Sequence, residues 1–168
     1  MSEAAALARF PRYEEASRRA KELTRHFSAP PIPVLDIAED NGADVRFDFF
    51  PNFKDKVSGL CDFQTGRIYV NAADSDERRR FTIAHELGHW VLHRDYFLQH
   101  PNKYRIFPRF AQPDYNDPFE REANRFAADL LVPDHLIKPV RGAAPSRLAA
   151  IFGVSKQMME IRLKRVRR

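Results

Sequence analysis

His85 and His89 lie four residues apart, with Glu86 directly after the first, in a segment whose apolar residues keep helical spacing. Imidazoles at positions i and i+4 leave the same face of a helix about one turn apart. The chain must therefore bury one face of this helix and bring a second element across it. The helix is predicted to open near Ser75-Asp76 and to run through Phe81-Thr82-Ile83-Ala84 to about His93. Ile83, Leu87 and Trp90 anchor it on a core. Gly88 costs about 1 kcal/mol relative to alanine in a helix interior, so another backbone is expected to pack closely there.

The two histidines can bind one metal ion. Glu86 lies at the edge of their face, where it can reach a water on that ion without being a ligand. The plainer alternative is a surface helix with two histidines and an unrelated acid, since HExxH also arises by chance. The surrounding apolar pattern favours the metal. A catalytic zinc site takes three protein ligands and keeps a fourth position open. His93 continues the i, i+4 series, but one straight helix cannot wrap three turns around a tetrahedral ion. It is expected beside the ligands, facing substrate, or in solvent. Glu120 and Glu122, on a later helix, are the candidates for third ligand. Helical-wheel geometry does not separate them. Glu120 has a competing task as a capping-box acid, so Glu122 is the chosen ligand and Glu120 the alternative.

Elsewhere, Tyr13 to Phe27 reads as an amphipathic helix and Val34 to Asp40 as a short one, stopped by Asn41-Gly42. Val45 to Phe49 alternates like a half-buried strand, and Leu60 to Phe63 with Ile68 to Asn71 reads as a hairpin around Gln64-Thr65-Gly66. The fold class expected is α+β: a small antiparallel sheet of about three strands packed against helices. The HExxH helix and a second ligand-bearing helix then form the site. Residues 94–118 hold four prolines and many aromatics without clear periodicity, and are expected to act as a lid or as a surface loop packed by Phe97, Tyr104, Phe107 and Phe110. Asp117-Pro118-Phe119-Glu120 marks a helix start, and that helix carries Phe119, Ala123, Phe126, Ala127 and Leu130 on one face.

Of the 168 residues, 28 are Lys or Arg and 23 Asp or Glu, a net charge of +5. Lys138 to Arg168 carries nine basic side chains against the single acid Glu160, so the rest of the chain is net acidic. Residues 146–152 and 155–165, broken at Gly153, have the rhythm of a helix–turn–helix that could meet DNA phosphates. The favoured alternative is that Ile151, Val154, Met158 and Ile161 close the core and leave the charges in water. Residues 1–168 are expected to be one domain, with 145–168 its basic two-helix end. Cys61 is the single cysteine, which excludes an intrachain disulfide and an all-cysteine metal site. No apolar leader or spanning segment is legible, so a cytoplasmic protein is expected.

Phe81-Thr82-Ile83-Ala84-His85-Glu86-Leu87-Gly88-His89, followed by Glu122-Ala123-Asn124-Arg125-Phe126-Ala127-Ala128-Asp129-Leu130-Leu131-Val132-Pro133, resembles the ImmA/IrrE family of gluzincin-like HExxH metallo-endopeptidases. The resemblance extends more weakly over most of residues 30–165. It implies one zinc ion held by His85, His89 and Glu122, with Glu86 catalytic. It also implies a protein substrate among helix–turn–helix repressors or antitoxin-like regulators, in stress-response or toxin–antitoxin settings. His93, Tyr104, Tyr115 and Arg109 are candidates to stabilise the oxyanion. The alternative function is a metal-binding regulatory or toxin-like module without turnover, possibly DNA-associated.

Overall fold

The first helix, α1 (Tyr13–Thr24), forms because Ala16, Ala20 and Thr24 line one buried face while Glu14 and Glu15 favour its N-terminal turn. The computed structural model describes residues 10–50, 57–101, 106–110 and 117–166. Helix α2 (Val34–Asp40) buries Val34, Ile37 and Ala38. It stops where expected, with Gly42 at φ 86°, a conformation that costs glycine little. Strands β1 (Asp44–Asp48), β2 (Val57–Asp62) and β3 (Arg67–Asn71) follow. The β2–β3 hairpin turns at Gln64 and Thr65, whose N–H groups donate to the Asp62 carboxylate.

Helix α3 (Asp76–Leu98) starts at Ser75, whose hydroxyl accepts from the Arg78 N–H. It runs past the expected end at His93 because Phe97 is buried, its ring against Phe63 and Phe119. Strand β4 (Ile106–Phe110) and helix α4 (Pro118–Leu131) come next. Asp117 caps α4 by accepting from the Phe119 N–H at 2.8 Å. A short α5 (Asp134–Ile137), a 3-10 turn, α6 (Pro145–Phe152) and α7 (Lys156–Val166) complete the chain.

The fold is α+β, with the sheet ordered β1-β3-β2-β4. The expected antiparallel arrangement holds for β2 with β3 and for β2 with β4, but β1 pairs parallel to β3. The sheet is mixed because β1 sits on the far side of β3 from its sequence neighbour β2. That order depends on which strand the chain passes over, and local alternation does not report it. The fourth strand lies in the stretch expected to be a lid or a surface loop. Its pattern is interrupted by Pro108, which an edge strand tolerates.

At the C-terminal end, Leu148, Phe152, Val154, Met159 and Leu163 are buried. The two helices thus close the core, with Val154 buried and Met158 packed against it as expected, whereas Ile151 and Ile161 are exposed. Arg162 is buried instead, donating to the Val132 carbonyl at the end of α4 at 3.0 Å and pairing with Asp129 at 3.3 Å and with Asp134. Among the described residues, no helix is long and apolar enough to cross a membrane.

Candidate metal centre

Helices α3 and α4 meet at Gly88. A Cβ there would lie 3.1 Å from Phe126 Cδ1 and 3.2 Å from Ala123 Cα. The glycine is thus the close-approach point that its helical position suggests, and the contact brings two polar rows face to face. Helix α3 presents His85, His89 and His93, all buried. Helix α4 presents Glu120 and Glu122 on opposite flanks of its apolar face, also buried.

The two glutamates face different partners. Glu120 Oε1 lies 3.0 Å from His89 Nε2, and Glu120 Oε2 lies 3.3 Å from His85 Nε2. The two Nε2 atoms are 3.1 Å apart. Glu122 instead receives the His93 Nε2–H at 2.9 Å, the Arg12 backbone N–H at 2.8 Å and the Arg12 guanidinium at 3.4 Å. The pairing of Glu122 with the two histidines, expected from sequence, is therefore replaced by Glu120. The capping argument that disfavoured Glu120 also gives way, because its carboxylate turns to the histidines while Asp117 caps the helix.

Hydrogen bonds fix the ring tautomers. His85 Nδ1 meets Asn124 Oδ1 at 2.9 Å. An amide oxygen only accepts, so the proton is on Nδ1 and a lone pair is on Nε2. Glu122 likewise takes the His93 Nε2 proton, leaving a lone pair on His93 Nδ1. That nitrogen accepts from His89 Nδ1 at 2.9 Å, so His89 also points a lone pair from Nε2. Burial pushes His93 down to about 4 against the opposing pull of Glu122, so its ring is neutral near pH 7. Burial favours the neutral form of Glu122, but the His93 N–H and Arg12 outweigh it and hold that carboxyl below its ordinary value. Two nitrogen lone pairs and a carboxylate thus converge within 4.8 Å. Such a set needs positive charge at its centre. Two imidazole nitrogens with one carboxylate is a donor set that suits zinc. His85, His89 and Glu120 fit a metal ion.

Glu86 is fully buried on the sheet side of α3. A Cβ on Gly59 of β2 would lie 3.7 Å from Glu86 Cγ, 2.4 Å from Thr82 Cγ2 and 2.7 Å from the Tyr69 carbonyl oxygen. Gly59 thus lets β2 lie directly on the helix turn that carries Glu86. The Cys61 thiol, two residues along β2, is pushed up by burial and by the nearby Glu86 carboxylate.

The family model described as Peptidase M78, IrrE N-terminal-like domain, matches residues 38–164. The chain belongs to this family. A curated relative, the metallopeptidase ImmA of Bacillus subtilis (strain 168), is 24% identical over 117 residues, covering 66% of this chain and 65% of the relative. A solved structure of a Mycobacterium tuberculosis transcriptional regulator shares the fold, with a TM-score of 0.59 at 17% identity. That match covers 87% of this chain and 45% of the regulator's. The chain thus spans less than two thirds of either relative's own length. Helix α1 lies outside the family match.

Asn124 and Gly59 went unremarked as site residues in the sequence. Asn124 stands one turn after Glu120 on α4, which is the available signal. Gly59 gives none, because its neighbour across the sheet is remote in sequence. Tyr104 and Tyr115, two oxyanion candidates, lie outside the described residues, as does the side chain of Arg109. Of the four candidates, His93 alone is placed, and it faces Glu122 and His89.

Proposed function

We propose that this chain is a zinc-dependent endopeptidase, with His85, His89 and Glu120 as metal ligands and Glu86 as the catalytic acid–base. The observation that carries this reading is the convergence of two imidazole lone pairs and a carboxylate one residue from a buried glutamate on the same helix. The family and the relative's name as a metallopeptidase support it. A bound zinc ion supplies Lewis acidity and brings the pKa of a coordinated water towards about 7.

Glu86 takes a proton from the attacking water as that water adds to the peptide carbonyl carbon. The same carboxylate then delivers the proton to the amine nitrogen as the C–N bond breaks. Asn124 and His93 hold the two histidines in the tautomers that leave Nε2 free to donate electron pairs. Strand β4 is the sheet edge next to β2 and hence on the Glu86 side, whereas β1 is the opposite edge. A substrate in extended form adds to that edge through backbone hydrogen bonds.

We take the substrate to be a helix–turn–helix repressor or an antitoxin-like regulator, in keeping with the resemblance to the ImmA/IrrE family. The test is to load the protein with zinc and incubate it with a purified helix–turn–helix repressor or antitoxin-like regulator. Intact-mass analysis follows, with and without a chelator. Chelator-sensitive fragments, absent with Glu86→Gln, are expected. An uncleaved regulator alongside a stoichiometrically metal-loaded protein removes that substrate. Failure on unrelated unfolded peptides as well removes the peptidase reading and favours a binding module.

A further inference from the structure

The contact between His93 and His89 continues into a longer chain whose outer members have no role in the steps above. It runs from His89 Nδ1 to His93, from His93 to Glu122, and from Glu122 to Arg12 at the head of α1. Every link is short and three of its four members are almost wholly buried. His93 is wedged between the rings of Phe97 and Phe119, so its orientation is fixed by packing as well as by hydrogen bonds. The Glu122 side chain is 1% exposed. A carboxylate kept this far from water on the flank of a helix needs a purpose, and its partners supply one.

Resting on the ligand set proposed above, we propose that Glu122 and His93 are positioning residues for the metal ligand His89, and that α1 completes their support through Arg12. The carboxylate fixes the His93 tautomer. His93 then accepts the His89 Nδ1 proton, which orients the second ring and makes its Nε2 a stronger electron-pair donor. The Arg12 N–H and guanidinium hold both carboxylate oxygens, so the last link comes from a helix outside the segment the family shares. His85 meets the neutral amide of Asn124, whereas His89 leads into a longer and anionic chain.

The test uses the full chain with Glu122→Gln, His93→Phe and Arg12→Pro. The last removes both the N–H and the guanidinium at a position whose φ of −87° lies close to the range proline adopts. Three quantities are read: the zinc dissociation constant by chelator competition, the visible spectrum of the cobalt(II)-loaded protein, and the urea midpoint of the metal-free protein. Glu122→Gln and His93→Phe are expected to weaken zinc by about tenfold or more and to shift the cobalt bands. Arg12→Pro is expected to weaken zinc in the same direction. Wild-type affinity and spectrum in Glu122→Gln and His93→Phe, with only the urea midpoint lowered, make the chain a packing device and overturn the proposal. Unchanged affinity in Arg12→Pro overturns the part given to α1. A wild-type protein that binds no metal overturns this proposal and the ligand set together. Metal bound by wild type and lost in Glu120→Gln, but held normally in Glu122→Gln, overturns this proposal alone.

Discussion

Glu120 and Glu122 carry the same carboxylate two residues apart, yet one closes on His85 and His89 and the other on His93 and Arg12. Helix α4 turns about 200° between them, so its contact with α3 sends one to each side. Glu120→Gln keeps the shape but removes the charge that balances a cation, and the purified variant is expected to lose stoichiometric metal by elemental analysis. Glu86→Gln is expected to keep its metal while cleavage falls by about 10² to 10⁴-fold. Unimpaired cleavage by that variant at full zinc load would remove Glu86 from the proton transfers.

Between elements, two glycines set how closely the layers approach. A Cβ on Gly59 meets Thr82 Cγ2 at 2.4 Å and the Tyr69 carbonyl at 2.7 Å, and a backbone carbonyl cannot rotate away. Gly59→Ala is expected to destabilise the fold by about 2–3 kcal/mol, measured from urea midpoints. Gly88→Ala is subtler. Alanine gains about 1 kcal/mol of helix propensity, but its Cβ meets Phe126 and the Ala123 backbone at 3.1–3.2 Å. Stability is then expected to change little, while α4 shifts outward, carries Glu120 from the histidines and weakens zinc binding. Zinc affinity equal to wild type in that variant means the α3–α4 spacing does not set the site.

At the scale of the molecule, Arg162 ties α7 to the end of α4 and to Asp129 and Asp134. Arg162→Ala strands the Val132 carbonyl and takes one partner from the mostly buried Asp129, which keeps Arg165 and Ser17, and is expected to cost about 1–3 kcal/mol in chemical denaturation. A loss no larger than that of an exposed surface arginine would mean water takes over its bonds. This inward use of Arg162 also subtracts from the basic face, leaving Arg147, Lys156 and Lys164 exposed on α6 and α7. Metal removal acts on the whole fold, because an ion bound only by the native state stabilises it by mass action. Chelation is expected to lower the wild-type Tm and to leave that of Glu120→Gln nearly unmoved.

The histidine pair, the start of α4 at Asp117, the stop at Gly42 and the buried face from Phe119 to Leu130 were legible because each follows from neighbours within a turn or two. Helical period, caps and turn residues are local quantities, and they suffice to place α3 and α4 and to mark the HExxH face. The placing of Glu120 rather than Glu122 against His85 and His89, the parallel pairing of β1 with β3, and the exposure of Ile151 and Ile161 were decided across the fold. Each depends on what lies opposite: a histidine row, a strand order or the end of α4. A residue's own sequence window holds the spacing of its side chains but not the identity of the surface they meet, and only packing supplies that.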